Sequence, residues 1–383
     1  MDFSLDEMQT IAVDGFKKFL QAEIKPIADE YRDKYIPTEL AKDIQKKLAP
    51  FGVVNGFLPE ELGGFDMDAV TQGLLMHELA RVSPDIAITT LIYFASGKMV
   101  AGTPEPLRSK YLDKFLECDL IASVAISEPG TGSDISSATC RAKPDGTDHF
   151  VINGEKMWIS SGDYSDFMYV LANVTEGDET GLAVFLVDRE EHGYETTNID
   201  KTALNSQSTA QVFFDNCRVP RENMVAAPGQ GLKMLLTLLQ SSRPIVGLMA
   251  MGIAQAAFDE ALQYSLDRVQ FGKPIAAKQI VQEKLATMYT QIEAGKLMAF
   301  KALHSIDMKK RSDIDAAMAK WYCTDLACEI VDEATKIHGG NGVTREFPVE
   351  YMARAAKVFR VTEGTNEIQK LMIGRAITGL SAF

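Results

Sequence analysis

The apolar residues of this chain change their period twice, and that alone limits the folds open to it. Over residues 1–119 they recur three and four apart: Met8, Ile11, Ala12, Phe16, Phe19 and Leu20 share a face, and Leu74, Leu75, Leu79 and Ala80 share another. That spacing predicts amphipathic helices. Ser4 with Glu7 has the form of a capping box at the start of the first helix, and Pro26 ends or kinks it. From 120 to 226 the pattern becomes that of strands, at 121–126, 167–174, 181–187 and 211–214, with polar turns at Pro144-Asp145-Gly146 and Glu176-Gly177-Asp178. Strands in succession with no helix between them predict an antiparallel sheet, as a small barrel or sandwich. Helical spacing returns after Pro220, through 232–239, 245–268, 280–304, 316–338 and 367–377. The expected fold is mainly α with a central β domain: a helical domain over 1–119, a β domain over 120–226 and a helical bundle over 227–383.

Composition narrows the partners more than the fold. The 383 residues carry a net charge of −14, which speaks against a nucleic-acid or anionic-membrane surface, so the cations for any anionic ligand have to be local. Cys118, Cys140, Cys217, Cys323 and Cys328 are scattered without a metal spacing; an odd number rules out complete internal pairing and fits a reducing compartment. His77 precedes Glu78 but has no histidine four residues on, so a solvated or core-edge pair is expected and no metal site. The acidic N-terminus has the character of neither a signal nor a transit peptide, and no apolar run reaches the ~18 residues of a membrane span. A cytoplasmic, prokaryotic location is the expectation. A Rossmann-type nicotinamide site is not indicated, because neither Gly229-Gln230-Gly231 nor Gly130-Thr131-Gly132 is followed by the third glycine.

Several short segments interrupt the apolar pattern with polar groups. The strand at 121–126 runs into Ser127-Glu128-Pro129-Gly130-Thr131-Gly132-Ser133-Asp134. In such a loop glycines let backbone approach a ligand, while hydroxyls and N–H groups grip a heteroaromatic ring or a phosphate. Met157-Trp158-Ile159-Ser160-Ser161-Gly162 adds an aromatic and more hydroxyls. Arg268-Val269-Gln270-Phe271-Gly272-Lys273-Pro274, with Gln279, offers a guanidinium for a pyrophosphate and a ring for a purine, though alone it reads as a helix end with a turn. Ile337-His338-Gly339-Gly340-Asn341-Gly342 alone is a glycine-rich helix stop. Near the C-terminus, Val361-Thr362-Glu363-Gly364-Thr365-Asn366-Glu367 is a loop entering a helix with Thr365 as its N-cap, and by itself Glu363 is a solvated loop acid.

Together these segments resemble the acyl-CoA dehydrogenase family, and the resemblance covers the whole chain. It implies FAD as cofactor and Glu363 as the base that takes the α-proton of an acyl thioester while the flavin accepts the β-hydrogen. The thioester carbonyl is then held by a flavin hydroxyl and the backbone N–H of Glu363. Ile126, Ser127, Gly132, Ser133, Trp158, Ile159 and Ser160 match flavin contacts, as do Thr365, Asn366 and Glu367. The adenosine diphosphate falls to Arg268, Phe271 and Gln279 and to Ile337, His338, Gly339 and Gly340, partly from a neighbouring subunit, which implies a homotetramer. His338 is expected to act through its backbone. Ser133, Gln240, Arg243 and Gly364 match substrate contacts. Some relatives carry the base just before the arginine of the 241–244 segment; here that residue is Ser242, which cannot serve unaided. Electron-transfer flavoprotein is the implied acceptor.

Two departures limit what carries over. The segment 201–213 looks shorter than usual and lacks a glycine-arginine pair, which suggests a rebuilt loop near the flavin edge. Bulky Tyr93-Phe94 stands in a segment that matches the base of the acyl pocket. With Leu91 and Ile92 they would fill volume needed by a long chain, so a short or compact acyl group, alicyclic included, is expected. If Glu363 is not the base, Asp85 is the next acid to consider. The alternatives are an oxygen-using flavin oxidase of the same fold, a nitroalkane-oxidase type being expected to carry aspartate at 363, and a flavin or acyl-CoA binding protein without turnover.

Overall fold

The structure, a computed structural model, describes residues 5–177 and 179–382. Helix α1 (Glu7–Phe19) starts from a capping box, but its members are Asp6 and Gln9. Ser4 of the expected Ser4–Glu7 box lies outside the described residues. The buried stripe is Val13, Phe16, Leu20 and Ile24, whereas Met8 and Ile11 are 76% and 62% exposed. The buried face is therefore turned from the expected one toward Val13. Pro26 does not end the helix: a π-turn at Leu20–Ile24 leads into α2 (Lys25–Glu30), where Pro26 sits in the first turn and its missing N–H is not needed. Four further helices follow, α3 (Thr38–Leu48), α4 (Ala69–Val82), α5 (Pro84–Gly102) and α6 (Leu107–Leu116). Asp68 caps α4 and Ser83 caps α5.

The strands are β1 (Ala122–Ala125), β2 (Arg141–Asp145), β3 (His149–Ser160), β4 (Phe167–Glu176), β5 (Glu179–Asp188), β6 (Glu195–Asn198), β7 (Thr209–Pro220) and β8 (Met224–Ala226), with a short helix α7 (Arg189–His192) after β5. They form one sheet in the order β6-β7-β3-β2-β4-β5-β8, with β1 also against β4. Most pairs are antiparallel, as expected, but β1 and β2 both run parallel to β4. The register gives the reason. β1 pairs with Phe167 to Val170 and β2 with Asn173 and Val174, so the two lie end to end along one edge of β4. They amount to one strand interrupted by the loop 126–140. Along β4 the alternation sorts the two faces: Phe167, Tyr169 and Leu171 join the core shared with the helices, and Met168, Val170 and Ala172 join a second core within the sheet domain.

The C-terminal bundle comprises α8 (Gly231–Asp267), α9 (Gln279–Asp307), α10 (Asp313–His338), α11 (Val349–Phe359) and α12 (Asn366–Thr378), with the small hairpin β9 (Val269–Gln270) and β10 (Lys273–Pro274) after α8. The two expected segments 232–239 and 245–268 are one helix running through Pro244. An interior proline costs a helix ~3 kcal/mol. Continuous burial from Ser241 to Ala254 offsets that cost here. By length and composition α8 is apolar enough to span a membrane, yet 78% of its most apolar window is buried inside the molecule, which is the signature of a core helix. It crosses α4 at Gly252, where a Cβ would lie 2.3 Å from the His77 carbonyl oxygen.

Candidate active site

The turn between α11 and α12 carries Glu363. Thr365 caps α12 with extended backbone, its hydroxyl accepting from Ile368 N at 3.3 Å. Glu363 and Gly364 both lie at positive φ, 58° and 91°. Glycine takes that conformation freely, but a side-chain-bearing residue pays ~1–2 kcal/mol for it. Neighbours therefore have to hold Glu363 there. Arg243 Nε donates to Glu363 O at 3.2 Å, and Gln369 Nε2 donates to the carbonyls of Glu363 and Gly364, each at 3.4 Å. Lys320 Nζ donates to Gly364 O at 2.7 Å and Arg360 O at 2.8 Å. Glu363 Oε2 is buried with no hydrogen-bond partner among the described residues. Burial pushes its carboxyl above the ordinary carboxylate range, opposed by the Arg243 guanidinium, the Ser242 hydroxyl and the Lys320 ammonium. Ser242, the alternative base position on α8, thus faces the Glu363 carboxyl itself. The Glu363 N–H makes no hydrogen bond among the described residues.

Other residues expected at this end divide. Arg243 is buried against the turn, Gln240 is half-buried one turn earlier on α8, and Gly364 and Glu367 are exposed. Asn366 is taken up by protein contacts: its amide oxygen accepts from Lys320, and Nδ2 donates to Thr324 Oγ1 and Asp325 Oδ1, each at 3.0 Å. Its side chain is a strut, leaving only backbone for a cofactor. Lys320 was missed in the sequence, although a lysine in the stripe of Ala316, Cys323 and Ala327 was a visible signal.

The loop 126–140 that interrupts the β1–β2 strand is built around a buried ion pair, Lys156 with Glu128 at 2.8 Å. Lys156 Nζ also donates to Ile126 O at 2.9 Å, and Glu128 Oε2 accepts from Thr139 N and Oγ1 at 2.6 and 2.7 Å. Met157 N donates to Ser127 O at 2.8 Å, which joins the two expected flavin segments. The β3–β7 register shifts between Lys156 and Ile159. Within that irregularity Trp158 has φ 64° and presents its indole 58% exposed, while Ile159 points inward. Ser160 takes part through its carbonyl, which accepts from Ser123 Oγ at 3.1 Å. Gly132 and Ser133 are exposed at the loop's tip. An exposed indole, exposed loop residues and the buried Ser161 hydroxyl, partnerless among the described residues, suit a flavin ring. Lys156 could have been picked out, since alternation from Phe150 and Ile152 puts it on the inward face.

The residues expected on the adenosine side lie elsewhere. Arg268, the residue that ends α8, is exposed, as are Gln279 at the start of α9 and Phe271, 93% exposed on the β9–β10 hairpin. At 1.5 Å per residue Arg268 is roughly 37 Å along α8 from Arg243. His338 ends α10 with its ring stacked on Tyr264 at 4.3 Å and edge-on to Phe347 at 5.5 Å. Nδ1 reaches Ala334 O at 2.8 Å, and Nε2 is buried without a partner among the described residues. The ring is a packing element. Ile337 is buried, and Gly339 and Gly340 are exposed in the turn that follows.

The segment 201–207 folds back on the N-terminal helices: Ser206 Oγ donates to Tyr31 O at 2.6 Å, Ile36 N donates to Ser206 O at 3.0 Å and Ser206 N donates to Asp85 at 3.0 Å. Asp85 also accepts from the Tyr351 hydroxyl, and burial raises its carboxyl to about 6. It binds the three parts of the molecule together, and none of its described bonds leads to the Glu363 turn. Tyr93 packs on Phe115 and donates to Leu120 O at 3.3 Å, while Phe94 packs edge-on to Phe57. Both rings are core residues between α5 and its neighbours. His77 and Glu78 form a buried pair, and no cluster of metal-binding side chains occurs among the described residues.

Comparison with known proteins accords with this layout. Models of the acyl-CoA dehydrogenase N-terminal, middle and C-terminal domains match residues 6–119, 123–217 and 229–378. A cyclohex-1-ene-1-carbonyl-CoA dehydrogenase of Geobacter metallireducens is 35% identical over 97% of this chain and 98% of its own length. The structure of butyryl-CoA dehydrogenase from Megasphaera elsdenii superposes with a TM-score of 0.92 at 30% identity, covering 98% of this chain and 100% of that one. A glutaryl-CoA dehydrogenase from Mycobacterium smegmatis in complex with FADH2 gives 0.92 at 27% identity, covering 99% and 96%. The chain belongs to the acyl-CoA dehydrogenase family, flavoenzymes that use FAD and act on CH–CH bonds.

Proposed function

We propose that this enzyme carries out α,β-dehydrogenation of a short or compact acyl-CoA, alicyclic acids included, with Glu363 as the α-proton base. The observation that carries the reading is the buried, partnerless Oε2 of Glu363 in a turn held by Arg243. An α-proton beside a thioester is only weakly acidic, so the base needs a raised pKa and the developing enolate needs donors. Burial supplies the first. The unused Glu363 N–H supports the second, as a donor free for the thioester carbonyl. FAD, when bound, accepts the β-hydrogen as hydride. Trp158 and the 126–133 loop hold its ring side, and Arg268, Phe271, Gln279 and the 337–340 segment hold its adenosine side.

The distance along α8 between Arg243 and Arg268 supports a second subunit completing each FAD site, and a homotetramer meets that need. The compact substrate rests on the cyclohexene-type relative, since Tyr93 and Phe94 are core residues. Electrons pass to an electron-transfer flavoprotein. Anaerobic titration of the yellow holoenzyme with butyryl-, cyclohexanecarboxyl- and palmitoyl-CoA tests the reading. Bleaching by one or both compact thioesters is expected. A preference for palmitoyl-CoA contradicts the compact pocket, and no bleaching by any thioester contradicts the function.

A further inference from the structure

Lys320 lies within α10 with no exposed surface. A buried ammonium persists only where acceptors replace its water. Here Nζ donates to Arg360 O at 2.8 Å, Gly364 O at 2.7 Å and Asn366 Oδ1 at 2.7 Å. Three acceptors match the three N–H bonds of an ammonium, and a neutral amine would leave one unmet. The acceptors are not arbitrary. Arg360 O and Gly364 O lie on either side of Glu363, and Asn366 opens α12. Asn366 is fixed in turn by Thr324 and Asp325, one turn along α10 from Lys320.

We propose that Lys320 is a positioning residue: its ammonium clamps both ends of the 360–366 turn, holds Glu363 in its left-handed backbone, and supports the ionised form of the Glu363 carboxyl. This rests on Glu363 being the base. The groups facing Lys320 are Glu363 in the turn, Arg243 from α8, Asp325 on α10 itself and Glu367 from α12. Arg360, at the end of α11, is paired with Asp325 at 2.7 Å. Burial lowers Lys320 to about 7, with Glu363 opposing that shift and Arg243 adding to it. The clamp therefore loosens above neutral pH.

Lys320→Met and Lys320→Gln holoenzymes, compared with wild type, test this by stopped-flow flavin reduction across pH with cyclohexanecarboxyl-CoA and by amide hydrogen exchange over 360–366. Methionine should slow reduction roughly tenfold or more and move the acid limb to higher pH, because the carboxylate has lost a neighbouring cation. Glutamine restores donors but not charge, so it should recover part of the rate and none of the limb position. A Lys320→Met enzyme with full FAD, an unmoved limb and a rate within about twofold of wild type would overturn the proposal. A purely structural lysine would lower holoenzyme yield without moving the limb. If neither variant retains FAD, the wild type decides. Protection of the turn amides, corrected for intrinsic exchange, should fall above pH about 7, and constant protection overturns the clamp. If no thioester reduces wild type, the base reading has failed, while amide exchange still reports on Lys320.

Discussion

A carboxylate that serves as a base at a carbon acid has two opposing needs, to be dry enough for a raised pKa and to stay ionisable. At Glu363 burial meets the first, and the Arg243 guanidinium and Lys320 ammonium meet the second. The consequence for pH has a definite sign. The ionised form is the active base and its pKa lies above 4.5, so the acid limb of kcat/KM should sit above the ordinary carboxylate range. A limb at or below 4.5 in a pH–rate profile would contradict the burial argument. At this scale the turn was legible as a loop entering a helix, while the proposed role of Glu363 as base came from the family resemblance and not from the residues alone. Lys320 was not picked out, since its partners Arg360, Gly364 and Asn366 lie far along the chain and only folding brings them to it.

At the scale of elements, an interrupted strand builds the proposed flavin side. β1 and β2 share one edge of β4, and the loop between them is pinned from β3 by Lys156 to Glu128. Breaking a buried pair from one side leaves an uncompensated charge, so Lys156→Met should cost ~3–5 kcal/mol and weaken FAD binding, read by chemical denaturation and flavin release. The Glu128 carboxyl is held below its ordinary value against the opposing effect of burial. Its contribution is therefore present above pH 4.5 and lost as pH falls through the lower folded value. Gly252→Ala should cost ~1–3 kcal/mol, because the added methyl meets the His77 carbonyl and α4 has to move. An unchanged thermal midpoint would mean that the α4–α8 crossing adjusts freely. The order of helices and strands was legible because hydrophobic period reports local geometry. The parallel pairing of β1 and β2, and the continuity of α8 through Pro244, were not. Both depend on which distant element covers them, and sequence period carries no record of that.

For the whole molecule, the question is what completes the FAD site. Phe271, Val269 and Ile280 stand exposed around Arg268 and Gln279, with Leu371 and Ile377 exposed on α12. Native mass spectrometry should find an oligomer with one FAD per chain, and Phe271→Ala should loosen FAD without disturbing the Glu363 turn. A monomer with fully bound FAD would show that one chain suffices. Oligomeric surfaces are hard to read from sequence because exposed and buried apolar residues look alike until the fold assigns them. Anaerobic flavin reduction by cyclohexanecarboxyl-CoA, followed by absorbance in wild type and Glu363→Gln, is the most direct test of the assigned chemistry. The variant should keep its fold, colour and thioester binding, since amide and carboxylate are nearly the same shape, and should lose the reduction rate by roughly 10⁴-fold or more. Reduction of Glu363→Gln at a rate near that of wild type would place the base at another residue.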